Sequence, residues 1–198
     1  MFEMPFNLPK FKHMMVSPHQ LRSGFNSLIN KEIRNAKLGK EAWMIIKLNN
    51  IVDTKIVNKL YQASRAGVKI DIICRGICVL IPQVKGLSDN IRVISIVDKY
   101  LEHSRIQVFA NDGDPLYYIS SADWMARNFD HRFETACPIY DDALKSEIMD
   151  ILKIQLGDNV KARLVNTNTI NAYVDRKNNI KIRSQFDIYN YLNKKSRS

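Results

Sequence analysis

Apolar and polar positions alternate along this chain with helical and strand periods in turn, and they predict an ordered series of elements. Leu21, Phe25, Leu28, Ile29, Ile33 and Ala36 keep the spacing of one helix face as far as Gly39, a natural stop. Ser17-Pro18, with Gln20 at the capping-box position, predicts where that helix begins. Ala42 to Leu48 (AWMIIKL) is a short apolar run that predicts a buried strand. Asp53 or Thr54 then caps a helix with Ile56, Val57, Leu60, Tyr61 and Ser64 on one side, closed by Gly67. Val68 to Cys74 (VKIDIIC) alternates as a second strand. A strand, helix and strand in this order form a right-handed crossover, so the two strands are expected to run parallel. Their carboxyl ends then share an edge, where open α/β sheets place ligands, and Lys47, Asn49 and Arg75 meet there.

Residues 76–90 form a connecting loop that is apolar for a surface segment. Ile91 to Ile96 predicts a third strand, and a turn follows at Asp98 to Leu101. Val108 and Phe109 face Leu116 to Ile119 across a turn holding Asp112-Gly113, the pattern of a hairpin. Phe133 to Tyr140 reads as a strand with Glu134 near its start. Asp141-Asp142 caps a helix carrying Leu144, Ile148, Ile151 and Leu152, stopped by Gly157, and Val160 to Val165 is a last strand. Residues 166–183 are polar and expected to be flexible; residues 184–195 predict a terminal helix with Phe186, Ile188, Tyr189 and Leu192 in an apolar stripe. Residues 1–16, with two prolines and no sustained period, read as a lead-in to one domain over 17–198, cut from something longer. The expected class is α/β, a mixed central sheet flanked by helices.

Composition narrows the function classes only partly. A chain of 198 residues, 45% hydrophobic and 25% charged, is an ordinary globule able to bury a core. No apolar run reaches the ~18 residues of a membrane span, and the N-terminus has no signal-peptide pattern. A net charge of +10 favours polyanionic partners but does not choose among nucleic acid, polyphosphate, nucleotides and acidic membranes. The polar side of the first helix, with Arg22, Lys31, Arg34, Lys37 and Lys40, reads as a solvated face. Cys74, Cys78 and Cys137 have neither disulfide nor zinc spacing and read as small buried hydrophobes, which points to a reducing, cytoplasmic setting.

Candidate chemistry gathers in Tyr100 to Asn128. His103 is the histidine in a suggestive setting: Arg105 lies two residues on, pointing to the same face of an extended chain. Ser120 and Ser121 end the paired strand, and Arg75 arrives at the same edge. Imidazole moves protons near neutral pH or attacks phosphorus, and guanidinium groups hold the charge of a phosphoryl group. A lone histidine is more often structural, so these residues alone support anion binding and no more. His13, His19 and His131 read as surface or packed residues, and Trp43 and Trp124 as core or rim aromatics.

His103-Ser104-Arg105 with Ser120-Ser121-Ala122-Asp123 resembles the H-x-K … G-S-x-N signature of the phospholipase D superfamily. Arginine stands for lysine, serine for glycine and aspartate for asparagine, and no aspartate falls at the usual spacing after Arg105. Longer stretches are more specific: IKLNNIVD (46–53), LYQASRAGVKIDIICRGIC (60–78), GLSDNIRVISIVDKYLEHSRI (86–106) and YISSADWMARN (118–128). They resemble the C-terminal catalytic domain of polyphosphate kinase, the histidine-phosphorylating family, and the resemblance continues from about Val16 through the basic tail. It implies a phospholipase-D-like fold and reversible transfer of the terminal phosphate of ATP to inorganic polyphosphate, with Mg²⁺. The histidine that carries phosphate and the Mg²⁺ ligands would belong to a preceding domain, so this chain alone is expected to be inactive. His103 would match the assisting histidine and Arg75 a nucleotide-phosphate ligand, with Lys47, Arg105, Ser120, Ser121 and Glu134 in support. Glu134 would be the glutamate that orients the histidine. Implied partners are ATP, ADP, polyphosphate, the preceding domains and further copies of the intact enzyme, with no specific nucleic acid; membrane association of the intact enzyme stays open. Two other readings remain: a non-catalytic polyanion-binding module, and a phospholipase-D-like nuclease acting as a dimer.

Overall fold

A computed structural model describes residues 11–166, 171–176 and 180–197. Residues 1–10 of the expected lead-in, and 167–170 and 177–179 of the expected flexible segment, lie outside the described residues. Eight strands make one sheet: β1 (Met15–Val16), β2 (Trp43–Leu48), β3 (Lys69–Cys74), β4 (Ile91–Ile96), β5 (Arg105–Phe109), β6 (Leu116–Ser120), β7 (Thr135–Ile139) and β8 (Ala162–Leu164). Their spatial order is β1-β7-β6-β5-β2-β3-β4-β8. The run β2-β3-β4 is parallel, as the crossover requires, and every other pairing is antiparallel, so the sheet is mixed.

The period of two along the strands supplies two cores. On one face Met44, Ile46, Leu48, Ile70, Ile72 and Val93 pack with Leu21, Phe25 and Ile29 of α1 (Leu21–Lys37) and with Ile56 and Leu60 of α2 (Thr54–Arg65). On the other, Ile45, Ile73, Ile94 and Val108 meet Leu152 of α4 (Asp142–Leu156). Central strands buried on both faces read as near-continuous apolar runs, which is why AWMIIKL could be recognised. Asp53 caps α2 by accepting from the Ile56 amide at 2.9 Å, and Asp141 caps α4 through Leu144 at 2.9 Å. No helix among the described residues is long and apolar enough to cross a membrane.

Three elements depart from expectation. Ser17 does not cap α1, which starts at Leu21 after an N-cap at Gln20 that makes no side-chain bond. The Ser17 hydroxyl is engaged elsewhere: it donates to Arg132 O at 2.6 Å and accepts from the Glu134 amide at 2.9 Å. A short helix, α3 (Ala126–Asp130), stands where no helical period was read, five residues being too few to show one. On α5 (Ser184–Lys195), Phe186, Tyr189 and Leu192 face solvent. This helix meets α4 through polar groups, Tyr191 Oη donating to Asp150 at 2.9 Å and Lys195 pairing with Glu147 at 2.5 Å. Of the expected flexible segment, Ala172 and Val174 bond to β8 and Ile182 bonds to Asn159.

The first helix keeps the expected solvated face at Lys31, Arg34, Lys37 and Lys40, all exposed, and departs from it at Arg22. Arg22 is not solvated: it makes two hydrogen bonds to Asp53 (2.9 and 2.8 Å) and two to Asp130 (2.8 and 2.6 Å), and stacks 4.7 Å from the Phe129 ring. One guanidinium thus joins α1, the cap of α2, and α3. Burial pushes the Asp53 carboxyl up, but Arg22 and the Ile56 amide outweigh it and hold it below the ordinary carboxylate range. Arg22→Met keeps the volume and leaves Asp53 buried without its cation. Urea unfolding at neutral pH should show a loss of about 2–3 kcal/mol, less than a fully buried pair because Asp130 is partly exposed. A loss under about 0.5 kcal/mol would mean the three helices are held by apolar packing alone.

Candidate active site

After β4, residues 97–104 cross the carboxyl edge of the sheet, past β3 and β2, and enter β5. This crossing brings His103 over the ends of β2 and β3. The start of β5 and the end of β6 reach the same edge, since Arg105 is paired with Ser120. An open cavity of about 380 Å³ lies there, and His103, Arg75, Arg105, Asn49 and Ser121 are among its walls.

Asp123 forms its floor. Its carboxylate, 6% exposed, accepts from the amides of Asn49 (2.9 Å) and Asn50 (3.2 Å), from Asn50 Nδ2 (3.0 Å), and from Arg105 Nε (3.1 Å) and Nη2 (3.3 Å). Burial pushes its carboxyl up; Arg105, Asn50 and Asn49 together reverse this and hold it below the ordinary range. Arg105 then uses Nη1 to reach His103 twice, at the carbonyl oxygen and at ring Nδ1, both at 3.0 Å. A guanidinium is always a donor, so Nδ1 is an acceptor. The neutral ring therefore carries its proton on Nε2.

Arg75 is set by the strand beside it. Its Nε donates to Asn49 Oδ1 at 2.5 Å, leaving Asn49 Nδ2 buried with no hydrogen-bond partner among the described residues. Gly76 follows because the chain turns back tightly: a Cβ there would sit 2.7 Å from both Asn49 O and Asn50 Oδ1. Two arginines that the sequence reading did not single out complete the wall. Arg127 and Arg132 also line the cavity, and neither guanidinium has a protein partner among the described residues. They come together because the Arg132 amide bonds to Arg127 O at 2.9 Å, closing α3. The available signal was two arginines five apart just after the serine-rich strand end, but without α3 that spacing has no direction.

The other expected residues fall at varying distances from this centre. Ser121 and Glu134 line the cavity and bond to each other, and Glu134 also accepts from Asn128 Nδ2 at 2.6 Å. Glu134 makes no hydrogen bond to His103 among the described contacts. Ser120 is used in the fold, donating to Thr135 O and accepting from the Ala122 amide, both at 3.0 Å. Lys47 does not line the cavity: it is buried and paired with Glu102. Burial pulls its ammonium down in pKa against the pull of Glu102. It is Glu102, not a cavity anion, that Lys47 meets.

Asp123→Asn tests the floor. The new amide would set a donor against Asn50 Nδ2 or Arg105 Nη2, so denaturant unfolding at pH 7 should show a loss of about 3 kcal/mol. Because the folded carboxyl is held low, this advantage is complete above about pH 4, the unfolded value, and fades as pH falls through the folded value. The two proteins should therefore converge in stability below about pH 4; a constant gap down to strong acid would remove the charge from the explanation.

The chain matches the family described as "Polyphosphate kinase C-terminal domain 2" over residues 14–185. It is 55% identical to a polyphosphate kinase of Vibrio parahaemolyticus over 190 residues, covering 96% of this chain and 27% of that protein. For Escherichia coli polyphosphate kinase the identity is 46%, over 96% of this chain and 28% of that protein. The crystal structure of polyphosphate kinase from Porphyromonas gingivalis superposes with a TM-score of 0.92 at 45% identity, covering 96% of this chain and 29% of that one. Nuc from Salmonella typhimurium, a phospholipase D family member, shares the fold alone, with a TM-score of 0.57 at 12% identity over 78% of this chain and 97% of that one. The chain thus spans little more than a quarter of the polyphosphate kinases it matches. With the family pattern covering most of its length, the chain belongs to the polyphosphate kinase family, as C-terminal domain 2.

Proposed function

We propose that this chain forms one wall of a phosphoryl-transfer site that moves the terminal phosphate of ATP to and from inorganic polyphosphate. The observation that carries the reading is the charge left over in the cavity. Asp123 takes up Arg105, and Glu134 is engaged by Ser121 and Asn128, while Arg75, Arg127 and Arg132 share the space without an acidic partner among the described residues. Three guanidinium groups beside an open histidine fit a chain of phosphates better than a single carboxylate or a neutral ligand.

Transfer of a phosphoryl group spreads negative charge over its outer oxygens, and fixed donors aimed there lower the barrier. Arg75, Arg127 and Arg132 supply charge, and the free Asn49 Nδ2 adds an N–H from the strand end. His103 presents Nε2–H to a phosphoryl oxygen, held in that tautomer by Arg105 at Nδ1. In this role it assists transfer and does not carry the phosphate, which goes to a histidine elsewhere in the longer enzyme. The pairing of Arg105 with Asp123 also weakens the nuclease reading, because the superfamily lysine has become a group occupied by the protein.

Mg²⁺ is a poor fit to this chain's own donors. The two carboxylates at the cavity are occupied, and no cluster of three acidic, histidine or cysteine residues capable of holding a metal occurs among the described residues. We assign the ion to the bound nucleotide and to residues beyond this chain, together with the intact enzyme's self-association. A cytoplasmic setting accords with the three free cysteines.

With ATP and Mg²⁺, this chain alone should make no long-chain polyphosphate, while a longer enzyme containing it should. Polymer formation by the isolated chain would refute the one-wall reading. In the longer enzyme, His103→Ala should lower the rate at least about 100-fold, the usual scale for a proton-handling group. Unchanged turnover would take His103 out of the site.

A further inference from the structure

Residues 97–104 carry His103, yet among the described residues no main-chain to main-chain hydrogen bond falls within them. The crossing is held by side chains. At its start Asp98 accepts from Arg183 Nε (2.9 Å) and Nη2 (2.7 Å). In its middle the Tyr100 amide donates to Gln185 Oε1 at 2.9 Å, and Gln185 Nε2 donates back to Tyr100 O at 2.8 Å. Near its end Glu102 takes a third bond from Gln185 Nε2, at 3.1 Å. The same carboxylate accepts from Gln155 Nε2 of α4 at 2.5 Å and pairs with the buried Lys47 of β2.

Tyr100 and Leu101 are 62% and 74% exposed, so apolar burial does little to fix this part of the crossing. Three elements distant in sequence therefore converge on the residue just before His103: β2 through Lys47, α4 through Gln155 and α5 through Gln185. Glu102 and Gln185 make no contact with the cavity. Their effect on the chemistry must pass through the main chain of the crossing.

We propose that Gln185 and Glu102 are positioning residues for His103, with the terminal helix α5 acting as a latch that holds the histidine over the ends of β2 and β3. This rests on the reading of His103 as a phosphate-contacting group. It also gives Lys47 a role: buried beneath the crossing, it anchors Glu102 from below instead of meeting the substrate.

The test uses this chain, with inorganic tripolyphosphate as the probe and the His103 ring signals followed by NMR. Gln185→Ala should broaden or shift the free His103 ring signals and weaken tripolyphosphate binding at least tenfold, with little change in helix content. Gln185→Glu should be at least as damaging, because it faces Glu102 and Tyr100 O with a second carboxylate. Tyr191→Phe is the control: it loses the Asp150 bond that docks α5 without touching the crossing, and should leave the His103 ring unmoved. Ring signals and affinity within twofold of the original in Gln185→Ala would overturn the proposal. Equal effects of Tyr191→Phe would overturn it too, because the loss in Gln185→Ala would then be a general loosening of α5 and not the loss of its bonds to the crossing. If tripolyphosphate leaves the His103 ring of the unaltered chain unmoved, the phosphate-contact reading fails, while the ring signals without ligand still decide the latch.

Discussion

Asp123 places a negative charge out of water where three segments of the chain meet, and each segment must answer it. Left alone, a carboxylate at that depth would not stay ionised. The amides at the end of β2, the side chain of Asn50 and the guanidinium of Arg105 supply five hydrogen bonds. The consequences spread from there. Asn50, with its nitrogen committed to Asp123, has its oxygen free to accept from the Ile77 amide at 3.0 Å. That bond fixes the turn following Arg75, and the turn leaves no room for a side chain at position 76. Arg105, held flat against Asp123, reaches His103 with a nitrogen of known direction. One buried charge thus orders both the arginine and the histidine.

The same pairing explains how the charge of the site is divided. A lysine opposite an asparagine, as in the H-x-K … G-S-x-N signature that this stretch resembles, would offer a mobile ammonium to a ligand. Arginine opposite aspartate is a rigid, nearly neutral unit. The remaining positive charge at the cavity comes from Arg75, just past β3, and from Arg127 and Arg132 around α3. The net charge of +10 says nothing of this distribution. Arg22, on the first helix, is consumed by two aspartates in holding helices together, while Arg75, Arg127 and Arg132 at the cavity have no acidic partner among the described residues.

Much of this was legible in the sequence wherever the cause is local. The strands around Ile45, Ile72 and Ile94, the caps at Asp53 and Asp141, and the hairpin turning at Asp112-Gly113 all stand where period and turn chemistry place them. The crossover rule alone brought Asn49 and Arg75 to one edge. What failed to show depends on partners far along the chain. Lys47 is at the right end of β2, but it meets Glu102, 55 residues on, and does not line the cavity. Ser17 has the look of a helix cap and is claimed by Arg132 and Glu134, more than a hundred positions away. Arg127 and Arg132 acquire a common direction only through a helix too short to leave a period.

The site therefore joins two parts held in different ways. Arg75 and Asn49 follow directly on strands whose ladders and cores fix them, so on the proposed reading their donors would need little reorganisation to meet a phosphate. His103 sits on a crossing without main-chain to main-chain bonds among the described residues, tied by Gln185, Glu102 and Arg183, and segments of that kind open more easily than the sheet beneath them. Charge that only has to be present is best built into a rigid edge. On the proposed reading, a ring that meets a phosphoryl oxygen gains from a support that can be adjusted, and the terminal helix would supply one from outside the cavity. On that reading function would depend on Arg183 and Gln185, although neither lines the cavity.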